Sequence, residues 1–354
     1  MKVRFLQAFH GDSIFLTFDD SDGKELNILI DGGPSHAYAE KGSKGKPVDG
    51  DFKLLIEELR ENGQFIDLLI LSHVDHDHVG GLIEWFRDDL QAEGMISSVW
   101  FNSGRLISEH FKQQGGPDRS LSINRKTSDN TSISEGATFE EIILKKGIWA
   151  RELIHAPSKL AVSDEITLKI LSPNEIGLKS LHKRWHEEIP IKETARNHND
   201  YKSSLAELIE NDTKFKSDGS IPNRSSIAFI LSYSGKDFLF LADAHAKPII
   251  TSLKKLGYTP EHKLKVEFVK LAHHGSKGNT NAKLLELIDS KKFVICSNGD
   301  VHNLPDKQCL ARVVNSVPGA ELYFNYPEKA EEIFTDDDRK AYRFSTHGTD
   351  DLSF

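Results

Sequence analysis

The six residues from His73 to His78 hold three imidazoles and two carboxylates, and they follow almost directly on the apolar run Leu68-Leu69-Ile70-Leu71. A short, bounded apolar run reads as a buried strand. The cluster therefore sits where a rigid strand gives way to a loop or helix, a good place to hold an ion. Imidazole nitrogen and carboxylate oxygen are the ligands that borderline and hard divalent cations prefer. A solvated polar loop is the competing reading, and the density of ligand-type side chains argues against it. Gly80-Gly81 follow, and such small residues let a helix starting at Leu82 approach the cluster closely.

The chain around this cluster supports a mixed α/β organisation. Strand-like segments run over Val3 to Phe9, Ser13 to Phe18, Leu26 to Ile30, Ser98 to Asn102, Ile166 to Leu171, Ser226 to Tyr233, Asp237 to Leu241, Lys265 to Leu271 and Lys292 to Ser297. Asp22-Gly23 supplies a turn. Phe52, Leu54, Leu55, Ile56 and Leu59 have the spacing of an amphipathic helix. The polar run Gly115 to Gly136, within residues 103–150, reads as a mobile loop or lid. Residues 174–222 are charged and His-rich, with Lys183 to Glu188 and then His198-Asn199-Asp200, and read as an exposed helical insertion. The segment after Tyr326 is acidic and weakly patterned, so it reads as a docking or regulatory tail or a frayed end.

The cluster resembles the signature of the metallo-β-lactamase superfamily, His-x-His-x-Asp-His. Here it stands as His73-x-Asp75-x-Asp77-His78. With Val79-Gly80-Gly81 after it, this variant is similar to the hydrolase domain of competence DNA-uptake channel proteins and their stand-alone soluble relatives. Further blocks fit in the same order: Gly11 to Ile14, Ile28 to Gly33, Asn223 to Ile227, Phe238 to Asp243, Val269 to Ser276, and Ser297 to His302. The resemblance implies an αββα sandwich over residues 1–326 with a charged helical insertion, leaving 327–354 as the acidic tail.

The same resemblance implies two divalent metal ions, zinc or manganese, with magnesium also compatible. His73 and Asp75 would hold one ion, and Asp77 and His78 the other. Asp243 ends an apolar strand, where an unpaired buried carboxylate is costly; a structural salt bridge or a metal follows, and its match to the family's bridging aspartate favours the metal. His273 resembles the second-site ligand. His274 would orient substrate or support a ligand, although position alone does not choose between the two. The usual additional histidine before the bridging aspartate has no convincing counterpart among His110, His155, His182, His186 and His198; Asn223 and Ser225 fall near that place. Asp75 in place of histidine makes the set oxygen-rich, which suits manganese or magnesium.

The implied reaction is metal-assisted hydrolysis, in which the ions activate a water and neutralise developing charge. A phosphodiesterase or nuclease is the first reading, its substrate an anionic phosphodiester, single-stranded DNA included. Hydrolysis of a small ester, amide or phosphodiester is the second, with Trp85, Trp100, Trp149 or Trp185 as candidates to line a pocket. A non-catalytic or partner-activated metal-binding subunit is the third, its insertions and tail serving a protein partner. Asp77, His274 and His302 are the candidate catalytic residues, with His302 as general acid or phosphate contact. His76 is expected to face away from the ions. Lys277 and Ser276 are open to a phosphate contact or a plain turn. Asp12 and Asp31, at hairpin ends, are open to supporting the ligands or simply to forming turns.

Composition frames these readings. Of 354 residues, 38% are hydrophobic and 28% charged, an ordinary globular mix. No stretch approaches a bilayer span and the N-terminus lacks a signal-peptide core, so a soluble cytoplasmic protein without a membrane partner is expected. Cys296 and Cys309 are too few for a disulfide framework. Acidic residues outnumber basic ones by 54 to 45, so charge lends nucleic-acid binding no help.

Overall fold

Leu68, Leu69, Ile70 and Leu71 are all buried, the first three of them in a strand. A strand covered on both faces has no reason to alternate apolar with polar, which is why this one reads as a continuous apolar run. The computed structural model describes residues 1–19, 23, 25–41, 47–113, 132–186 and 198–354. The chain divides into two compact units. The first comprises Met1–His155, Asn174–Glu193 and Asp351–Phe354; the second comprises Ala156–Pro173 and Thr194–Asp350.

The first unit runs β1 (Lys2–Phe5), β2 (Ile14–Asp19), β3 (Glu25–Ile30), α1 (Ser35–Tyr38), a small hairpin of β4 (Ala39–Lys41) and β5 (Pro47–Asp49), α2 (Asp51–Glu61), β6 (Ile66–Ile70), α3 (His76–Asp88), β7 (Ile96–Trp100), α4 (Gly104–Gln113), α5 (Ser132–Lys146) and α6 (Glu175–His186). Its main sheet has the order C-terminal strand (Asp351–Ser353), β1, β2, β3, β6, β7. β2 is antiparallel to β1 and β3, whereas β3, β6 and β7 are parallel. The carboxyl ends of β1, β3 and β6 therefore share one sheet edge, where ligand-binding loops collect in folds of this kind.

Helices close the core of this unit. Phe52, Leu55, Ile56 and Leu59 form the buried face of α2, as their spacing predicts. Phe52 packs edge-on against Trp85 of α3, and the same core holds Phe86 of α3, Phe139 of α5, and Leu178, Leu181 and Trp185 of α6. All four tryptophans are buried, and Trp85, Trp149 and Trp185 belong to this core rather than to a pocket lining. The lid expected over Gly115 to Gly136 needs correcting at its end: Ser132 to Gly136 open α5, where a Cβ on Gly136 would come within 2.5 Å of Val74. Residues 115–131 of that run, and Asp22 of the predicted turn, lie outside the described residues. The exposed insertion is likewise corrected at its start, because α6 contributes three side chains to the core; residues 187–197 lie outside the described residues.

The second unit runs β8 (Ser158–Ala161), β9 (Ile166–Ser172), α7 (Leu205–Glu210), α8 (Ile221–Arg224), β10 (Ala228–Tyr233), β11 (Lys236–Phe240), α9 (Ala246–Lys255), β12 (Leu264–Lys265), β13 (Val269–Lys270), α10 (Ala282–Leu285), β14 (Ile288–Asp289), β15 (Lys292–Ile295), α11 (Lys307–Ser316), β16 (Ala320–Phe324), α12 (Glu328–Ile333), α13 (Asp336–Ala341) and β17 (Phe344–Gly348). Its main sheet has the order β17, β16, β15, β13, β11, β10, β9, β8. β11, β13, β15, β16 and β17 are parallel, and β10 is antiparallel to β11. One edge of this sheet thus carries the carboxyl ends of β11, β13 and β15 together with the amino end of β10. The single strand expected over Lys265 to Leu271 is two short ones: β12 pairs with β14 in a small separate sheet, and β13 joins the main one.

Residues 327–354 are not a tail. Asp336-Asp337-Asp338 form the first turn of α13, where the helix dipole favours acidic side chains, and Thr335 and Asp338 build a reciprocal capping box. Asp338 is buried and pairs with the fully buried Lys307 at 2.6 Å. Weak apolar periodicity hid these short elements. Asp200, in the charged stretch, accepts the Lys307 and Gln308 backbone N–H groups at 2.7 and 3.1 Å and so caps α11. None of the described helices is long and apolar enough to cross a membrane.

Candidate metal-ligand sets

The first set stands at the shared edge of β1, β3 and β6. α3 begins at His76, so Asp77 and His78 lie in its first turn and Gly80-Gly81 inside it, rather than before a helix at Leu82. The glycines are there because the helix passes hard against the β3 loop: a Cβ on Gly81 would stand 2.1 Å from the Gly32 carbonyl oxygen. Backbone bonds lock the contact, from Gly32 N to His78 O at 2.8 Å, Gly81 N to Gly33 O at 2.8 Å, and Asp12 N to Asp77 O at 3.2 Å.

Hydrogen bonding determines how the two buried histidines present themselves. The Asp31 carboxylate accepts the Ser72 backbone N–H at 2.7 Å and the Ser72 hydroxyl at 2.6 Å. His78 Nδ1 lies 2.8 Å from Asp31 Oδ2. An ionised carboxylate only accepts, so Nδ1 of His78 carries the proton. Ser72 Oγ, having donated its proton to Asp31, accepts from His73 Nδ1 at 3.0 Å. In their neutral forms both rings then carry the lone pair on Nε2, the arrangement that carboxylates impose on metal-binding histidines. Asp31 sits in the left-handed region at φ 59°, just after β3.

Three carboxylates surround these nitrogens. Asp75 occupies the N-cap position of α3 without a side-chain capping bond, and its Oδ2 lies 3.5 Å from His73 Nε2. Asp77 Oδ2 is 3.8 Å from His78 Nε2. Asp12 is buried and offers an oxygen within 4.8 Å of a His78 ring nitrogen. His76 faces elsewhere, bonding Glu135 at 2.6 Å and Ser35 at 3.2 Å.

The second set stands at the common edge of β10, β11, β13 and β15. Asp243 follows β11 and is 2% exposed, immediately after the left-handed Ala242. His273, His274 and Gly275 form a left-handed turn after β13, with φ of 49°, 53° and 86°. Left-handed backbone costs non-glycine residues roughly 1–2 kcal/mol each, and such strain persists only where surroundings over-determine it. Here the turn is held by His273 N on Ala242 O and Ser276 N on His273 O, both at 2.8 Å. It aims both rings at one carboxylate: His273 Nε2 is 3.6 Å from Asp243 Oδ2, and His274 Nε2 is 3.7 Å from Asp243 Oδ1. His274 Nδ1 donates to the Cys296 carbonyl at 3.0 Å, leaving Nε2 as its basic nitrogen.

Further residues of this unit, which the sequence reading did not single out, surround His273. Its Nδ1 lies 3.0 Å from Asn279 Oδ1 and 3.4 Å from Asp218 Oδ2. Burial alone would depress the His273 pKa, but Asp243 and Asp218 outweigh it and raise it to about 9 in the metal-free protein. Burial likewise pushes Asp218 upward, yet bonds from His245 and His273 hold it well below the usual carboxylate range. Asn223 Nδ2 donates to Asp218 at 2.8 Å and lies 3.3 Å from His273 Nδ1, whereas Ser225 is engaged locally, its Oγ donating to Pro222 O at 2.6 Å. Lys277 pairs with Asp306 at 2.9 Å, an ion pair that explains it without a phosphate. His302 lies half-buried in the loop after β15.

The donor chemistry of both sets fits divalent cations, since buried imidazoles with basic Nε2 atoms stand beside carboxylates. A comparison with curated protein sequences finds no match. Solved structures similar to this chain include zinc-bound PqqB from Methylobacterium extorquens, at 11% identity and a TM-score of 0.44, covering 100% of both chains. An isothiocyanate hydrolase from Delia radicum gut bacteria aligns at 14% identity and a TM-score of 0.39, covering 100% of this chain and 99% of that one. CmlA, a diiron β-hydroxylase from Streptomyces venezuelae, aligns at 12% identity and a TM-score of 0.41, with this chain spanning 53% of it. The family model of the metallo-beta-lactamase superfamily matches residues 8–299, and the chain belongs to that superfamily.

Proposed function

We propose that the protein is a metal-dependent hydrolase of phosphodiesters, with two divalent ions held by His73, Asp75, Asp77, His78 and Asp12 and by Asp243 with His273 and His274. The observation that carries this reading is the oxygen-rich donor chemistry: Asp75 stands 3.5 Å from His73 where the family signature has a second histidine. Carboxylate-rich sites favour hard ions such as manganese, which suit phosphoryl oxygens. When bound, the ions would supply an activated water and neutralise charge on the reacting phosphate.

The chain's own residues do the rest. Asp31 and Ser72 hold His73 and His78 in one tautomer, so those ligands need little reordering. Asp77 extends from the first turn of α3, packed too tightly against the β3 loop to drift. His302 is assigned the proton donation to the leaving oxygen, or a phosphate contact. Two buried free thiols, Cys296 and Cys309, accord with a cytoplasmic setting.

The test is hydrolysis of bis(p-nitrophenyl) phosphate and labelled single-stranded DNA by metal-stripped protein refilled with manganese or zinc, beside Asp77→Ala and Asp243→Ala. Metal-dependent cleavage of both substrates, lost in both variants, supports the phosphodiesterase and points to a nuclease. Cleavage of the small diester alone moves the substrate to a small molecule. No turnover with both ions bound overturns the reading.

A further inference from the structure

Asp218 precedes β10, at the sheet edge where β11 and β13 end, and one of its oxygens is the meeting point of several side chains. Oδ2 accepts from Asn223 Nδ2 at 2.8 Å and from Asn279 Nδ2 at 3.1 Å. The same oxygen lies 3.4 Å from His273 Nδ1 and 3.6 Å from His245 Nε2. Oδ1 accepts the Ser220 backbone N–H at 2.8 Å. The groups so joined come from separate loops: residues 218–223 before β10, 243–245 after β11, and 273–279 after β13.

The loops are closed further by Asn279. Its Nδ2 also donates to the Asp243 carbonyl at 3.0 Å, while its Oδ1 faces His273 Nδ1 at 3.0 Å. The Asp218 backbone N–H donates to Gly278 O at 3.0 Å, and a Cβ on Gly278 would stand only 3.1 Å from that nitrogen. Asp218 is thus anchored by its backbone and by both carboxylate oxygens, with a side chain 13% exposed. A side chain held this firmly has one orientation to impose on its partners.

We propose that Asp218 is a positioning residue for the second ligand set: it sets the ring of His273, and through Asn279 the backbone of Asp243, so that these groups hold a divalent ion. The proposal rests on reading Asp243, His273 and His274 as metal ligands. A carboxylate behind a histidine fixes its ring orientation and raises its basicity as a ligand. Asp218 and Asn279 do this for His273 as Asp31 and Ser72 do for His78 and His73 in the first set.

The test is metal affinity rather than turnover. Metal-stripped full-length protein is titrated with manganese, and separately with zinc, against a competing chelator, for the parent, Asp218→Ala, Asp218→Asn and Asp243→Ala. Asp218→Ala is expected to bind at least one ion about 10–100-fold more weakly; its metal-free melting temperature falls, because the bonds from Asn223, Asn279 and Ser220 go with the carboxylate, while its circular dichroism stays close to the parent's. Asp218→Asn, which keeps one acceptor oxygen, is expected to fall between, a graded recovery that a merely structural role would not produce. Parental affinity in Asp218→Ala with weakened binding in Asp243→Ala overturns the assignment and leaves the metal reading standing. Parental affinity in both overturns both. Should the alanine variant not fold, parental affinity in Asp218→Asn overturns the assignment just as well.

Discussion

His78 Nδ1 and Asp31 Oδ2 lie 2.8 Å apart although 47 positions separate them in the chain. The bond exists because β3 and β6 pair in parallel, which places Asp31 beside Ser72 and under the first turn of α3. Asp31→Ala would release His78 directly and His73 through Ser72. Metal affinity should fall about 10–100-fold, measured by chelator competition; unchanged affinity would show that the tautomers are set some other way.

Gly81 is a tight point of the same contact, because any side chain there collides with the Gly32 carbonyl at 2.1 Å. Backbone cannot rotate aside as a side-chain tip can. Gly81→Ala should cost about 1–3 kcal/mol or more, seen as a lower melting temperature. Gly94→Ala is the control, since a Cβ there meets nothing within 4 Å; it should stay within about 0.5 kcal/mol of the parent.

Lys307 and Asp338 are an ion pair with side chains 0% and 2% exposed. Removing one partner leaves a buried charge uncompensated, so Lys307→Met should lose about 3–5 kcal/mol in urea unfolding. Adding Asp338→Leu should recover only part of that. Asp338 also accepts the Leu205 and Thr335 backbone N–H groups at 2.7 and 3.1 Å, and leucine leaves both without this acceptor. Full recovery in the double variant would mean that those bonds contribute little.

Acid unfolding should register the same carboxylate. Burial pushes the Asp338 pKa up, but bonds from Leu205, Lys307 and Thr335 outweigh it and hold the group below its ordinary value. With the folded pKa below the unfolded one, the stabilisation is present above the unfolded value, about 3.9. It is lost as pH falls through the folded one, because the unfolded chain then takes up the proton first. Asp338→Asn should therefore flatten the fall in melting temperature below about pH 4. A slope identical to the parent's would assign that fall to other carboxylates.

Much of the first candidate set was legible in the chain. A continuous apolar run from Leu68, ligand-type side chains from His73 and glycines at 80 and 81 are local patterns, and each has a local cause: a strand buried on both faces, its end, and a close helix contact. The helix over 52–59 was legible for the same reason. The acidic segment after Tyr326 was misread because α12, α13 and β17 are too short to show periodicity, and α13 is held by a capping box and a buried ion pair.

The sequence by itself determined which residues are candidates for the chemistry: His73, Asp75, Asp77, His78, Asp243, His273 and His274 stand at or just beyond strand ends, because a cluster of ligand-type side chains after a buried strand needs only neighbouring positions to be recognised. Only the tertiary structure decided how those residues are held. Asp31 reaches Ser72 across 41 positions, and Asp218 reaches Asn279 across 61. Separations of that length are closed by sheet register and loop packing, which leave no periodic trace in the chain. The residues that touch those candidates from elsewhere in the chain, Asp31, Asp218 and Asn279, therefore became distinguishable from ordinary turn residues only once the strands were paired.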